Sequence, residues 1–132
     1  MRKFLDVCYT AEKHPMQMLN IYLPESESFP VFVYFHGGGL VAGDRTACPE
    51  AVQYLTENGV AVVNVEYRMY PDAKYPDFIY DSAAAVKWTK ENLGGDLTDG
   101  KIFVGGSSAG GYLSMMLCFD KRYFEADRKS VV

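Results

Sequence analysis

The stretch Ile102-Phe103-Val104-Gly105-Gly106-Ser107-Ser108-Ala109-Gly110-Gly111 determines which fold the chain is expected to adopt. Three uncharged residues with large side chains lead into a run of glycines, and a mostly apolar segment continues to Phe119. We interpret the first part as a buried strand and the last part as a helix. The junction Gly106-Ser107-Ser108-Ala109-Gly110 has the form G-x-S-x-G, which is typical of a sharp strand-to-helix turn that presents a serine hydroxyl.

The G-x-S-x-G motif alone leaves two interpretations open. In a nucleophile elbow, the Ser108 hydroxyl would stand clear of the sheet, and the Ala109 N–H would point toward an oxyanion on the attacked carbonyl. In the other interpretation, the glycines only allow a helix and a strand to pack closely. A phosphate-binding loop is excluded, because Gly111-Tyr112 stands where that loop requires Lys followed by Ser or Thr.

A second glycine loop follows the apolar run Val31–Phe35, which lacks polar alternation and therefore predicts a strand covered on both faces. This loop is His36-Gly37-Gly38-Gly39. Because glycine has no side chain, the backbone N–H groups of Gly38 and Gly39 can approach a bound oxygen closely. They are candidate oxyanion donors.

The same loop admits a dinucleotide-binding interpretation. Gly37-x-Gly39-x-x-Ala42 fits that fingerprint, and Glu66 ends the next predicted strand, where a ribose-binding acid is expected. The fingerprint also requires a helix that opens inside the motif, whereas the next helix is expected to start only near Pro49. A dinucleotide-binding domain therefore remains the weaker alternative.

Strand and helix patterns alternate along the rest of the chain, which predicts an α/β fold. We expect a single domain over residues 1–132, with a mostly parallel sheet of about five strands and three main helices. The first two strands are expected to pair antiparallel. The predicted strands are Val7–Thr10, Met18–Leu23, Val31–Phe35, Val60–Val65 and Ile102–Val104, and the predicted helices are Ala47–Asn58, Phe78–Leu93 and Ser108–Phe119.

Composition excludes several classes of function. The net charge of −4 argues against nucleic acid as a partner. No apolar run approaches the ~18 residues of a membrane span, and no apolar stretch follows Met1-Arg2-Lys3 as in a signal peptide. Cys8, Cys48 and Cys118 lack C-x-x-C spacing, so we expect reduced thiols, no metal, no cofactor and a cytoplasmic location.

A set of motifs spread over the chain resembles a known family. In this order and spacing they resemble the α/β-hydrolase fold, and within it the hormone-sensitive-lipase-like carboxylesterases and related bacterial acetyl-esterase-type enzymes. The resemblance extends from about residue 5 to residue 119. The residues that carry it are His36-Gly37-Gly38-Gly39, Gly43-Asp44, Tyr67-Arg68, Pro71, Tyr75-Pro76, Asp81, Trp88, Asn92 and Gly106–Gly111.

The resemblance implies a serine esterase that acts on a small-molecule ester. Ser108 matches the nucleophile, and the N–H groups of Gly38, Gly39 and Ala109 match the oxyanion hole. His36 matches the residue that shapes the glycine loop in that family and is not the catalytic base. Tyr67-Arg68 and Asp81 match framework residues behind the site, and structural ion pairing is their other interpretation.

The catalytic acid and base of that family are missing from this sequence. In this fold they follow the serine in the order Asp or Glu, then His, yet no histidine follows Ser108. The remaining histidine, His14, is expected to lie exposed in an early hairpin. The sequence thus resembles the N-terminal half of a family member, a truncated domain that we expect to be weakly active or inactive alone. The alternative is a non-catalytic module that binds a small ligand or a partner chain.

The missing half also predicts how the chain associates. The Ile102–Val104 strand would lie at an open sheet edge, and the helix stripe Tyr112, Met116 and Phe119 would be uncovered. Unprotected edges and apolar patches of this kind pair with other chains. We therefore expect a homo-oligomer, most simply a two-fold dimer.

Overall fold

The computed structural model describes residues 1–93, 101–120 and 122–125. Within these residues the chain forms one sheet with helices on both faces. The strands are Arg2–Cys8 (β1), Met18–Leu23 (β2), Val31–Phe35 (β3), Ala61–Val65 (β4) and Ile102–Gly106 (β5), and the helices are Pro49–Glu57 (α1), Asp77–Leu93 (α2), Ala109–Phe119 (α3) and Arg122–Glu125 (α4).

The strand order brings the two glycine loops to the same end of the sheet. The order is β1-β2-β4-β3-β5, in which β4, β3 and β5 are parallel and β2 pairs antiparallel with both β1 and β4. In the register of β3 and β5, Phe35 lies opposite Gly106. Because carboxyl ends of parallel strands meet at one edge, the loop after Phe35 lies beside the turn after Gly106. The predicted α/β class is confirmed, with a mixed sheet.

The core forms because β3 and β4 are buried strands. Every residue of β4 is buried, and Val31, Val33 and Phe35 of β3 are fully covered. Their inner face packs against apolar residues of α2 and α3, among them Ile79, Ala83, Val86, Leu113 and Leu117. Burial of such side chains contributes about 1.5–3 kcal/mol each, so the central strands are the rigid support for both loops.

The first strand differs most from its prediction. It spans Arg2–Cys8 and not Val7–Thr10, because it lies at the outer edge of the sheet and is largely exposed, without the expected alternation. Its pairing register shifts between Phe4 and Val7, where Asp6 has a φ of 57°. Tyr9 is buried, and its hydroxyl donates to the Glu66 carbonyl at 2.6 Å. The other predicted bounds agree with the structure to within two residues.

Membrane insertion through a helix finds no support in the part of the chain that the structure describes. None of its helices combines the length and the apolar character that a bilayer crossing requires.

Candidate active site

The turn between β5 and α3 holds Ser108 in a conformation that side chains rarely adopt. Its φ is 50° and its ψ is −112°, a sparsely populated region that costs of order 1–3 kcal/mol. The neighbouring glycines are required by close approach: a Cβ on Gly110 would lie 1.7 Å from the Phe35 carbonyl oxygen, and one on Gly106 would lie 2.4 Å from it. Ser108 is exposed at the start of α3.

The loop after β3 lies directly against this turn. A Cβ built on Gly37 would be 2.9 Å from the Ser107 carbonyl oxygen and 3.5 Å from the Ser108 Cβ. The Gly38 carbonyl accepts hydrogen bonds from the N–H groups of Val41 at 3.2 Å and Ala42 at 3.1 Å. The sheet register therefore brings together the two glycine motifs, which lie far apart in the sequence.

Several backbone N–H groups at this junction have no partner among the described residues. Among them are those of Gly38, Gly39 and Ala109, the residues expected to donate to an oxyanion. Gly38 and Gly39 have positive φ values of 125° and 66°, a backbone path that glycine adopts without a steric penalty. These N–H groups are available to an oxygen atom brought to the site.

His36 supports the loop from below. Its ring stacks on the ring of Tyr67 with centroids 4.5 Å apart and planes 11° apart. The His36 Nδ1–H donates to the Gly37 carbonyl at 2.6 Å, and the Tyr67 hydroxyl donates to the His36 carbonyl at 2.8 Å. Nε2 is buried and has no hydrogen-bond partner among the described residues. Burial raises the pKa of the Tyr67 hydroxyl, which therefore remains a donor at neutral pH.

The second histidine lies in the loop between β1 and β2. His14 is half-buried, and its Nδ1 accepts a hydrogen bond from the Met16 N–H at 3.0 Å. This contact ties the ring to its own loop. The expectation of an exposed side chain is thus only partly met.

A buried ion pair lies behind the glycine loop, where the sequence suggested framework residues. Asp81 is 2% exposed and accepts three guanidinium hydrogen bonds from Arg68, at 2.8, 2.9 and 3.2 Å. It also accepts the Arg68 backbone N–H at 2.9 Å and the Gln17 side-chain amide at 2.8 Å. The hydrogen bonds with Asp81 raise the pKa of the Arg68 guanidinium. The pair ties the segment after β4, which includes Tyr67, to α2.

A second ion pair, which sequence reasoning missed, bears on the dinucleotide alternative. The Arg45 guanidinium contacts Glu66 at 2.6 Å and Asp6 at 2.8 Å. Glu66 is therefore engaged by a cation and is not directed toward a ribose, and α1 begins only at Pro49. Neither the acid nor the helix that a dinucleotide site needs is in place among the described residues.

Sequence reasoning also missed an exposed hydroxyl contact beside the Ser108 turn. The Tyr34 hydroxyl is within hydrogen-bond distance of the Ser107 Oγ and lies 3.2 Å from the Cys48 Sγ. The sequence shows only that Tyr34 carries a hydroxyl group in an otherwise apolar strand. It does not indicate which residues that hydroxyl contacts.

Comparison with known proteins identifies the family of the chain. The BD-FAE family model matches residues 19–131. Esterase LipI of Mycobacterium tuberculosis is 40% identical over 98 residues, which cover 71% of this chain and 30% of the relative. Carboxylesterase NlhH of the same organism is 40% identical over 105 residues, which cover 75% of this chain and 32% of the relative. The chain thus spans about a third of the length of these relatives.

Solved esterases share the fold. Esterase B from Lactobacillus rhamnosis, in an inhibited form, superposes with a TM-score of 0.85 at 27% identity, covering 99% of this chain and 44% of that one. An esterase from Pyrobaculum calidifontis superposes with a TM-score of 0.71 at 36% identity, covering 79% of this chain and 35% of that one. The chain therefore belongs to the BD-FAE family, among the α/β-hydrolase carboxylesterases that resemble hormone-sensitive lipase.

Proposed function

We propose that the chain carries the nucleophile and the oxyanion hole of a serine carboxylic-ester hydrolase. The observation that carries the proposal is the backbone of Ser108, with a φ of 50° and a ψ of −112° at a strand-to-helix junction, beside a glycine loop. Holding an exposed hydroxyl in a strained turn costs stability, and such strain is concentrated at functional sites. In this function Ser108 attacks the ester carbonyl.

The negative charge formed in that attack requires donors. In the proposal they are the N–H groups of Gly38, Gly39 and Ala109, which have no partner among the described residues. Donors already in place for the developing oxyanion contribute strongly to catalysis, and loss of one typically costs about 10²–10³ in kcat.

The attack also requires a base, and neither histidine of the sequence suits that role. His36 is buried beneath the glycine loop and His14 is bound within its own loop. A serine without an imidazole partner is a weak nucleophile, and a triad that lacks a member retains about 10³–10⁴-fold catalysis over water. We therefore propose that these 132 residues are weakly active or inactive alone.

The substrate in this proposal is a small-molecule ester, in keeping with the names of the relatives LipI and NlhH. A base for Ser108 would come from polypeptide other than these 132 residues, since the relatives are about three times as long. The cytoplasmic location expected from the sequence stays a prediction.

Labelling with a fluorophosphonate tests the proposal, because this reagent phosphonylates a nucleophilic serine oxygen and releases fluoride. We expect slow labelling that disappears in Ser108→Ala and persists in Ser26→Ala, a change in an exposed loop. The labelling rate should change little between pH of about 6 and 8, because in this proposal no histidine acts as the base. A histidine base would produce a step in the rate near pH of about 6.5.

Three outcomes would contradict parts of the proposal. Labelling that survives Ser108→Ala would exclude Ser108 as the nucleophile. Fast and complete labelling, or a step in rate near neutral pH, would show a base and contradict the weak activity. Absence of labelling in a folded chain would favour the non-catalytic ligand-binding or partner-binding alternative.

A further inference from the structure

Tyr34 lies on an inner strand of the sheet, and its hydroxyl makes an exposed contact beside the Ser108 turn. It belongs to β3, which lies between β4 and β5 in the sheet. Its partner in the register with β5 is Gly105. A Cβ on Gly105 would lie 2.8 Å from the ring of Phe32, so the absence of a side chain at Gly105 leaves room for the Phe32 ring.

The ring of Tyr34 is held in place by its surroundings. It packs edge to face with the ring of Phe32, with centroids 6.1 Å apart and planes at 66°. Its hydroxyl meets the Ser107 Oγ and the Cys48 Sγ, and in each contact either atom can be the donor. Partial burial and the contact with the Cys48 thiol raise the pKa of the Tyr34 hydroxyl. The hydroxyl therefore stays protonated at neutral pH.

Ser107 is fixed from two directions. Its carbonyl accepts the Gly110 N–H at 2.8 Å, inside the elbow, and its side chain reaches the Tyr34 hydroxyl on β3. Ser107 immediately precedes Ser108, so contacts that fix Ser107 also restrict the position of the Ser108 backbone. The same strand that provides Tyr34 leads into the glycine loop two residues later. The Tyr34–Ser107 contact thus joins the strand of the oxyanion loop to the turn of the nucleophile.

We propose that Tyr34 is a positioning residue: its hydroxyl, bound to Ser107, keeps the Ser108 turn in register with the glycine loop. The inference rests on the proposed function, because it assigns a role toward Ser108 as nucleophile. Misplacement of reacting groups by about 1 Å can cost 10²-fold in rate. Without the contact, the strained turn has one restraint fewer and Ser108 spends less time facing the oxyanion donors.

Four variants and one control test the proposal. Tyr34→Phe removes the hydroxyl and keeps the ring, and Ser107→Ala removes the partner at an exposed position. The double variant tests coupling between them, and Ser107→Thr restores a hydroxyl. Tyr54→Phe is the matched control, because Tyr54 is 66% exposed on α1 and its hydroxyl has no partner among the described residues.

The first measurement is the rate of fluorophosphonate labelling at Ser108. We expect Tyr34→Phe and Ser107→Ala each to lower it about threefold to tenfold, as for the loss of one hydrogen bond of ordinary strength. The double variant should be no slower than either single variant. Ser107→Thr should recover the rate, and Tyr54→Phe should leave it unchanged. Thermal midpoints, measured in parallel, show whether each variant remains folded.

The second measurement does not depend on reactivity. Amide hydrogen exchange at Gly110 and Tyr112, whose N–H groups donate to the Ser107 and Ser108 carbonyls, should accelerate in Tyr34→Phe and Ser107→Ala, while exchange in α2 stays unchanged. If Ser108→Ala fails to abolish labelling, or the wild type is not labelled, the proposed function is wrong. Amide hydrogen exchange then remains the test of whether the Tyr34–Ser107 contact restrains the turn. If wild-type labelling occurs at Ser108 and neither variant changes its rate, the positioning role of Tyr34 is wrong. If Tyr34→Phe does not fold, Ser107→Ala decides.

Discussion

The two glycines of the candidate oxyanion loop face different local constraints. A Cβ on Gly38 would lie 2.0 Å from the Ala42 carbonyl oxygen, so any side chain there must displace the backbone. At Gly39 the nearest atom would be a methyl carbon of Val41 at 4.0 Å, which is an ordinary contact. Gly39 therefore tests the role of the loop without a steric clash inside the fold.

Gly39→Ala should lower the rate of labelling at Ser108 by more than its loss of folding stability explains. Its φ of 66° makes an alanine unfavourable by roughly 1–2 kcal/mol, and the methyl group would crowd the path of an incoming oxygen. Gly59→Ala is the matched control, since Gly59 has a φ of 88° and open space around it, at the end of α1. We expect urea denaturation to show a similar loss in the free energy of unfolding for both variants. Only Gly39→Ala should lower the rate of labelling at Ser108.

An equal effect of Gly39→Ala and Gly59→Ala on labelling would contradict the oxyanion role. So would a large loss of stability at Gly39 with labelling intact, since the loop would then serve only packing.

At the residue scale, the turn at Ser108 and the glycine loop are predictable because each depends on closely spaced residues. Gly106, Ser108 and Gly110 must stand at fixed spacing for the turn to close. The Tyr34–Ser107 contact is not predictable in this way. It depends on the register between β3 and β5, which a linear pattern does not record.

At the scale of elements, one carboxylate joins the end of β4 to α2. Asp81 lies within the first turns of α2, and its oxygens bind the side chain and backbone N–H of Arg68 as well as Gln17. Removal of one partner from a buried pair leaves the other uncompensated, which costs several kcal/mol. The position of α2 against the sheet thus depends on this contact.

Asp81→Ala should lower the free energy of unfolding by about 3 kcal/mol, at the lower end for a buried pair because Arg68 retains partial exposure. Glu25→Ala serves as the comparison, because Glu25 is 91% exposed and its 3.4 Å contact with the N-terminal amine lies in solvent. That change should stay within about 0.5 kcal/mol. Urea denaturation followed by circular dichroism measures both values.

Equal effects of Asp81→Ala and Glu25→Ala would show that the buried pair does not hold α2.

The elements themselves were predictable to different degrees. α2 was predictable because its apolar residues recur at helical spacing and a glycine pair follows them in the sequence. In the structure it begins at Asp77, one residue before its predicted start. β1 was not predictable, because its exposed residues bury no side and so carry no alternation. The register at such an edge depends on bonds such as that from the Asp6 N–H to the Asn20 side chain.

At the scale of the whole molecule, the two edges of the described sheet differ. The β1 edge has charged residues at Arg2, Lys3 and Asp6, and its register shifts near Asp6. Charges and irregular pairing are the means by which natural sheets discourage further strands. The β5 edge has no charged residue, and Phe103 is 56% exposed. It has the character of an inner strand.

Helix α3 presents an apolar surface on the same side of the molecule. The predicted stripe of Tyr112, Met116 and Phe119 needs correction at one position. Met116 packs partly against the core, and the exposed methionine of this surface is Met115. The exposed fractions are 39% for Tyr112, 61% for Met115 and 82% for Phe119. The exposed residues follow Ser108 at intervals of three or four residues, so they form one stripe that starts at the elbow.

The expected homo-oligomer follows from this surface and stays a prediction. A second copy of the chain matches an uncharged edge by symmetry, without any unpaired charge. Light scattering after size exclusion at micromolar concentration should give twice the 14.8 kDa chain mass. Phe103→Lys and Met115→Lys, both at exposed positions, should shift the protein toward the monomer. Phe4→Lys on β1, where Phe4 is 47% exposed, is the matched control.

A monomeric wild type at these concentrations would contradict the oligomer. Dissociation by Phe4→Lys as strong as that by Phe103→Lys would place the interface elsewhere.

The strand order also governs how the sheet can assemble while the chain is being made on a ribosome. The strands β1 to β4 are complete at Val65 and can already pair as β1-β2-β4-β3. Synthesis of residues 66–106 then takes roughly 2–8 seconds at about 5–20 residues per second. During this interval the uncharged flank of β3 is the side of the nascent sheet open to wrong pairing, until β5 arrives and takes over that role. A chaperone that shields the nascent chain therefore has one side to cover at every stage, and the β1 side needs no such cover.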